Sequence, residues 1–490
     1  VGGVELQGKS RGGVWGELKT QVRGWAVAAL FSIKNPDHDL RAGEITRENS
    51  DKPITMGRDL TGRYDAVRRA ATAALNAGLV PVINRLLDAV KRSMNDLGLT
   101  ARLIVVKGDG SLVREDWARE RPIETEVSGP AASALGAELL GRGLLRPTEE
   151  NLWVADIGGT TTDLIYLKKG RPTITPDGAA IGRWKTMTTT VRTQTRGLGG
   201  DSLITLNQAD TSITIGPRRA LPLCRLAEMW PEALDTLKAQ QLIGAHSSQA
   251  AIFFLPGLKT YQTLRQTESR LAQAVAESSP MPLTRYTQSL KKEKLYFAGL
   301  KVIQNPAILI SSFTPTDAMA VLGLYNEGSR EAATLGAELL GRGLKLGPQE
   351  LAGMVMDEFG RLLAQEIVSY SLQGQIKFGS DDFSNEGLFA SALHRRSLEG
   401  LEIVFRSPDT VFLLGGPAVA LAPFLSRHLE GRVIVPPVFD TANAVGAAAA
   451  PIALSRQIEI HQMPGRGQGY RLFLPNEIVE GGSVEILTEV

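Results

Sequence analysis

The chain has 490 residues, 43% of them hydrophobic, with 54 basic and 52 acidic side chains. At ~100–200 residues per domain this length predicts two to four domains with self-sufficient cores, and the balanced charge excludes a dedicated nucleic-acid binder. The single cysteine, Cys224, excludes an internal disulfide framework and a Cys-based zinc site.

Residues 1–150 read as an α/β segment. Trp25 to Ile33 is apolar and β-capable, and Asn35-Pro36 ends it. From Ala66 to Gly98 apolar residues recur at helical spacing, and Pro81 inside that run predicts two helices or a kink. Leu103 to Val106 is a short strand ending in Lys107-Gly108-Asp109-Gly110, and Gly129 to Leu140 is a small-residue helix. A second α/β segment, 151–456, opens with strands Leu152 to Ile157 and Leu164 to Leu167 around a Gly/Thr turn. Residues 221–300 read as a mostly helical insertion. Gly353 to Leu372 is an amphipathic helix, and Thr410 to Leu414 is a buried strand. Residues 457–490 alternate polar and apolar and predict a β-rich tail. The ten residues Leu135 to Leu144 recur identically at Leu335 to Leu344, either as two helices with small packing faces or as equivalent helices in related lobes.

Three motifs carry candidate chemistry. Asp156-Ile157-Gly158-Gly159-Thr160-Thr161-Thr162-Asp163 lies between two apolar strands. Its glycines let a phosphate approach backbone N–H groups, and Thr160 and Thr161 add hydroxyl donors. Asp156 and Asp163 are candidate ligands for hydrated Mg²⁺, which accepts one or two carboxylates and several waters. The alternative is an ordinary hairpin with solvated aspartates. Gly197-Leu198-Gly199-Gly200-Asp201-Ser202 offers a second close backbone approach, with Asp201 placed to orient water or metal; a plain turn is its alternative. Leu413-Leu414-Gly415-Gly416-Pro417 is a strand, two glycines and a helix start, suited to an adenosine resting on backbone.

Together the three resemble the actin/sugar-kinase/heat-shock-chaperone ATPase superfamily. The order of Asn35-Pro36-Asp37-His38-Asp39, Ser128-Gly129-Pro130, the 156–163 loop, the 197–202 loop, Thr314-Pro315-Thr316-Asp317-Ala318 and Ala442 to Gly446 is similar to the hydantoinase A/5-oxoprolinase family. The resemblance implies two RNase H-like lobes closing on ATP and Mg²⁺, hydrolysis of a cyclic amide by phosphorylation, and a B-type partner subunit in an oligomer. Lys107, Asp109 and Ser128 are candidate substrate contacts; a solvated turn and a helix cap are the alternatives. His38 is a candidate catalytic or metal group, with a structural role as alternative. The family opens with another Gly/Thr hairpin that does not occur before Asp156, and residue 1 is Val. A missing N-terminal stretch, and little turnover by this chain alone, are therefore expected. Two other readings share the fold: a small-molecule kinase and a reactivating-chaperone ATPase. No signal peptide is apparent, and the apolar stretch Val445 to Leu454 is too short to span a bilayer, so a cytoplasmic protein is expected.

Overall fold

The computed structural model describes residues 22–182, 184–207, 212–243, 250–257, 275–285, 308–372, 392–393, 402–453, 459–462, 469–473 and 478–481. It is a mixed α/β chain that divides by contacts into two compact units. One unit comprises Val1–Leu139, Arg171–Arg192 and Asn443–Val490, and the other comprises Leu140–Gly170 and Thr193–Ala442.

The second unit is built on a sheet whose path runs Thr193–Arg196, Thr162–Lys168, Leu152–Ile157, Thr410–Leu414, Val433–Ile434. The first three strands are antiparallel, and the last three are parallel to one another. Leu152–Ile157 and Thr410–Leu414 are apolar on both faces because both faces are covered. The covering helices Pro348–Leu372 and Ala418–His428 approach closely at Gly360, where a Cβ would stand 2.6 Å from the backbone of Phe424. The helix foreseen from Gly353 thus begins five residues earlier, at Pro348. In the described part of the 221–300 segment helix outweighs strand. Helices Leu223–Met229 and Glu232–Leu242 stand beside a four-stranded sheet of Leu221–Pro222, Ile308–Ser312, Phe253–Pro256 and Met281–Pro282. The run Phe253, Phe254, Leu255 is fully sequestered and supplies that sheet's core. Residues 244–249, 258–274 and 286–300 of the foreseen insertion lie outside the described residues.

In the first unit the strand expected to reach Ile33 stops at Val27, paired in parallel with Ile54–Met56. Leu30 and Phe31 beyond it are exposed. Pro81 does not divide its helix, which runs unbroken from Ala66 to Asp96. The ring removes the donor for the Ala77 carbonyl one turn back. That carbonyl faces Gly24, where a Cβ would lie 2.6 Å from its oxygen. By length and composition this helix is apolar enough to cross a membrane. Its buried Arg69 is tied to the carbonyls of Arg63, Tyr64, Ala29 and Leu30. Helix Ser128–Gly141 packs on helix Ala442–Ala449, where a Cβ on Gly446 would stand 1.9 Å from the Ala132 carbonyl oxygen. The described tail is a three-stranded antiparallel sheet, Glu459–Gln462, Tyr470–Phe473 and Ile478–Gly481.

The repeat has a packing explanation in both places. Its two copies close helices Ser128–Gly141 and Arg330–Gly341 at the same glycine of the repeat. Gly336 leaves room for Leu223, whose Cδ1 would lie 2.3 Å from an added Cβ, and the Gly136 backbone faces Gly446.

Candidate functional site

The ladder between Leu152–Ile157 and Thr162–Lys168 places Asp156 directly opposite Asp163, with Ile157 opposite Thr162. The tip is therefore Gly158 to Thr161, closed by the Gly158 N–H donating to the Thr161 carbonyl at 2.9 Å. Gly159 and Thr160 are exposed, whereas Thr162 is buried and donates from Oγ1 to the Leu198 carbonyl at 2.6 Å.

That bond is one of several joining the hairpin to the second glycine loop. The Gly200 N–H donates to the Gly158 carbonyl at 3.0 Å, and the Asp201 N–H donates to the Gly159 carbonyl at 2.6 Å. A Cβ on Gly199 would stand 2.5 Å from the Gly159 oxygen, and one on Gly200 would stand 2.8 Å from Thr316 Oγ1. These two glycines thus make room for protein backbone and a threonine. Thr316 also donates from its N–H and its Oγ1 to the Gly200 carbonyl, both at 2.9 Å.

The third motif joins the same edge. Leu414 pairs with Asp156 in parallel register, so the Gly415-Gly416 turn emerges beside the hairpin. Gly415 has φ +86°, and a Cβ there would lie 2.2 Å from the Ile157 oxygen and 3.2 Å from Asp156 Oδ1. Only glycine satisfies both constraints. Gly416 is exposed, with nothing within 4 Å of its missing Cβ. It leaves open space at the start of helix Ala418–His428.

Burial raises two of these carboxylates. Burial holds Asp163 above the usual carboxylate range, and the Asp156 charge adds to it, while a hydrogen bond from the Thr195 hydroxyl opposes both. Asp201 is raised by burial against the pull of Arg219, whose Nη2 and Nε lie 2.9 and 3.2 Å from Oδ2. Among the described residues no group of three His, Cys, Asp or Glu could hold a metal ion. The Asp156–Asp163 pair still fits Mg²⁺, which takes few carboxylates and completes its shell with water and phosphate oxygens. A cation there would also offset the burial and the Asp156 charge that together raise Asp163.

Asp317 contrasts with these groups. It is completely buried and accepts from the N–H groups of Thr314, Leu223 and Cys224 at 2.8 to 3.0 Å, and from Thr314 Oγ1. Burial lifts it to about 6 against those bonds. It fastens the starts of helices Pro315–Val321 and Leu223–Met229.

The remaining candidates belong to the first unit. Lys107 Nζ sits 3.2 Å from Asp109 Oδ2 and 3.4 Å from Glu124 Oε2. Asp109 Oδ1 accepts from the Ser111 N–H and Oγ. Ser128 opens its helix, and Gly129 faces open space. Asp37 and His38 begin helix Asp37–Asn49, with the Asn35 side chain accepting from the Asp37 N–H at 2.9 Å. Sequence reasoning missed Glu126, which burial pushes up to about 7 and whose buried Oε2 has no hydrogen-bond partner among the described residues. Beside it Val127 adopts φ 55°, a strained conformation for a β-branched residue. It also missed Thr195 and Arg219, which only strand register brings to the site.

The family model described as Hydantoinase/oxoprolinase matches residues 69–223. The caprolactamase subunit alpha of Pseudomonas jessenii is 27% identical over 202 residues, which are 41% of this chain and 28% of that protein. The 5-oxoprolinase 1 of Arabidopsis thaliana is 31% identical over 140 residues, 28% of this chain and 11% of that protein. The acetone carboxylase beta subunit of Xanthobacter autotrophicus is 25% identical over 41% of this chain and 28% of its own length. Among solved structures, nucleotide-free acetone carboxylase superposes with a TM-score of 0.54 at 18% identity, covering 91% of this chain and 49% of that one. The ATP-dependent caprolactamase from Pseudomonas jessenii superposes with a TM-score of 0.52 at 18% identity, covering 92% and 50%. The matches thus span less than a third of these curated relatives and about half of these solved chains. The hydantoinase/oxoprolinase similarity lies in residues 69–223, and the two superpositions show a shared fold.

Proposed function

We propose that this chain binds Mg-ATP and serves an ATP-dependent enzyme that activates a cyclic amide, of the hydantoin or 5-oxoproline type, by phosphorylating the ring amide oxygen. The observation that carries the reading is the loop pair in the second unit. Two glycine-rich loops are stitched backbone to backbone, with an exposed Gly159-Thr160 tip and the facing carboxylates Asp156 and Asp163 at its base. Phosphoryl transfer depends chiefly on positioning and charge stabilisation, so a rigid, donor-rich tip beside carboxylates suits it. Thr160 and Thr161 hold phosphate oxygens, Asp156 and Asp163 hold Mg²⁺ through water, and Gly416 borders the adenosine. The metal supplies charge neutralisation between phosphate oxygens. Relatives named as subunits support work within an assembly, with a B-type partner and two RNase H-like lobes as the family implies.

Carboxylation of a ketone is the second reading, favoured by the acetone carboxylase likeness in both sequence and fold. The test is phosphate release from ATP with 5-oxoproline, hydantoins, caprolactam or acetone plus bicarbonate, with and without a candidate partner subunit. Cyclic-amide-dependent release that appears with the partner supports the proposal. Release that depends only on acetone and bicarbonate supports the second reading, and release that ignores every small molecule sinks both.

A further inference from the structure

The loop pair has a charge problem. Asp156, Asp163 and Asp201 border a tip that the proposed function fills with phosphates, and like charges confined together repel. A bound cation answers part of this. The rest needs a protein cation within reach of the tip, and strand register supplies one.

Arg219 ends the strand Ser212–Arg219 and is paired in the ladder with Ser202, next to Asp201. The following N–H, of Ala220, donates to the Asp201 carbonyl at 2.8 Å, which pins the strand end to the loop. Arg219 Nη2 lies 2.9 Å from Asp201 Oδ2, and that same oxygen is 2.9 Å from where a Gly159 Cβ would stand. One carboxylate oxygen therefore separates the guanidinium from the hairpin tip. The Arg219 side chain is 63% exposed while Asp201 is 18% exposed. Arg196, opposite Thr162, is the other guanidinium brought to this edge by register, and it lies 3.4 Å from Glu366. Asp201 also has an assigned backbone role, since its N–H joins the two loops whatever its side chain does.

We propose that Arg219 is a phosphate-binding side chain that Asp201 holds beside the hairpin tip and that exchanges this carboxylate for the terminal phosphate of the nucleotide. The inference rests on the nucleotide reading above. An exposed ion pair is weak because water screens it, whereas an arginine fork meets phosphate oxygens with two charge-assisted hydrogen bonds. The exchange thus trades a weak contact for a stronger one. Asp201 then serves as a positioning residue and does not touch the reacting atoms.

Calorimetric titration of the 490-residue chain with Mg-ATP, pyrophosphate and adenosine tests this, using wild type, Arg219→Ala, Arg219→Lys and Gly159→Val. Arg219→Ala is expected to raise the Kd for ATP and pyrophosphate by about tenfold or more, the loss of one charge-assisted contact. Adenosine binding should not change, and Arg219→Lys should recover part of the loss by restoring the charge without the fork. If Arg219→Ala binds pyrophosphate like wild type while Gly159→Val has lost it, the cradle stands and the inference falls. Equal weakening for adenosine makes Arg219 structural and also overturns it. Wild-type binding that Gly159→Val leaves untouched, or no wild-type binding, removes the cradle and the inference together.

Discussion

The hairpin tip at Gly158 to Thr161 and the corner at Thr314 to Asp317 use the same chemistry, threonine hydroxyls beside aspartate, to opposite ends. At the corner every acceptor is occupied: Asp317 takes bonds from Thr314, Leu223 and Cys224, and none of it reaches solvent. At the tip the backbone bonds run beneath the loop, to Gly158 and Gly159, while Gly159 and Thr160 face outward. An aspartate whose lone pairs are filled by protein donors holds the fold, whereas the tip beyond Asp156 and Asp163 presents the exposed Gly159 and Thr160. The two regions should therefore fail in different ways.

The sharpest break is expected at the corner. Asp317→Ala leaves the N–H groups of Thr314, Leu223 and Cys224 buried without their acceptor, and each such orphan costs ~1–3 kcal/mol. Loss of several kcal/mol, read as a large fall in thermal or urea midpoint, is expected, with nucleotide affinity of the folded fraction intact. A mild stability effect coupled to lost ATP binding would move Asp317 into the site.

The neighbouring glycines sharpen the same contrast on one turn. Gly415→Val meets the Ile157 oxygen and a left-handed backbone together, so it should destabilise the sheet edge by about 2 kcal/mol or more. Gly416→Val meets nothing and should cost little stability. It should instead raise the Kd for ATP more than that for pyrophosphate. Equal effects on both ligands would place the adenosine elsewhere.

A pH dependence is expected in the first unit. Glu126 titrates near 7 in the folded chain against an ordinary value of 4.5, so between those values the native state binds more protons than the unfolded state. Its contribution to stability is therefore present below about 4.5 and lost as pH rises to about 7. Glu126→Gln should be relatively more stable at pH 8 than at pH 4, measured as urea midpoints against wild type. A difference that is constant across that range would show that burial does not shift this carboxyl.

Much of the site was legible because its signals are local in sequence. Asp156 to Asp163 announces itself through glycines and threonines between two apolar strands, and Thr410 to Gly416 does so through a buried strand ending in paired glycines. The reason for some glycines was not legible. Gly199 and Gly200 look like ligand-approach positions in sequence, yet they yield to the Gly159 carbonyl and Thr316. Arg219, Thr195 and Glu126 were invisible because their roles come from register and burial, which the sequence shows only after pairing is known. The proline at 81 does not end its helix, which runs from Ala66 to Asp96.

The central claim is that the Asp156–Asp163 hairpin receives the phosphates of Mg-ATP. Titrating Mg-ATP into wild type and Asp156→Asn by calorimetry, with thermal midpoints measured alongside, tests it most directly. The amide keeps the size of the side chain and removes the charge that a hydrated cation needs. Affinity at least tenfold weaker in Asp156→Asn, with an unchanged midpoint, is the predicted result. Wild-type affinity in the variant would contradict the claim.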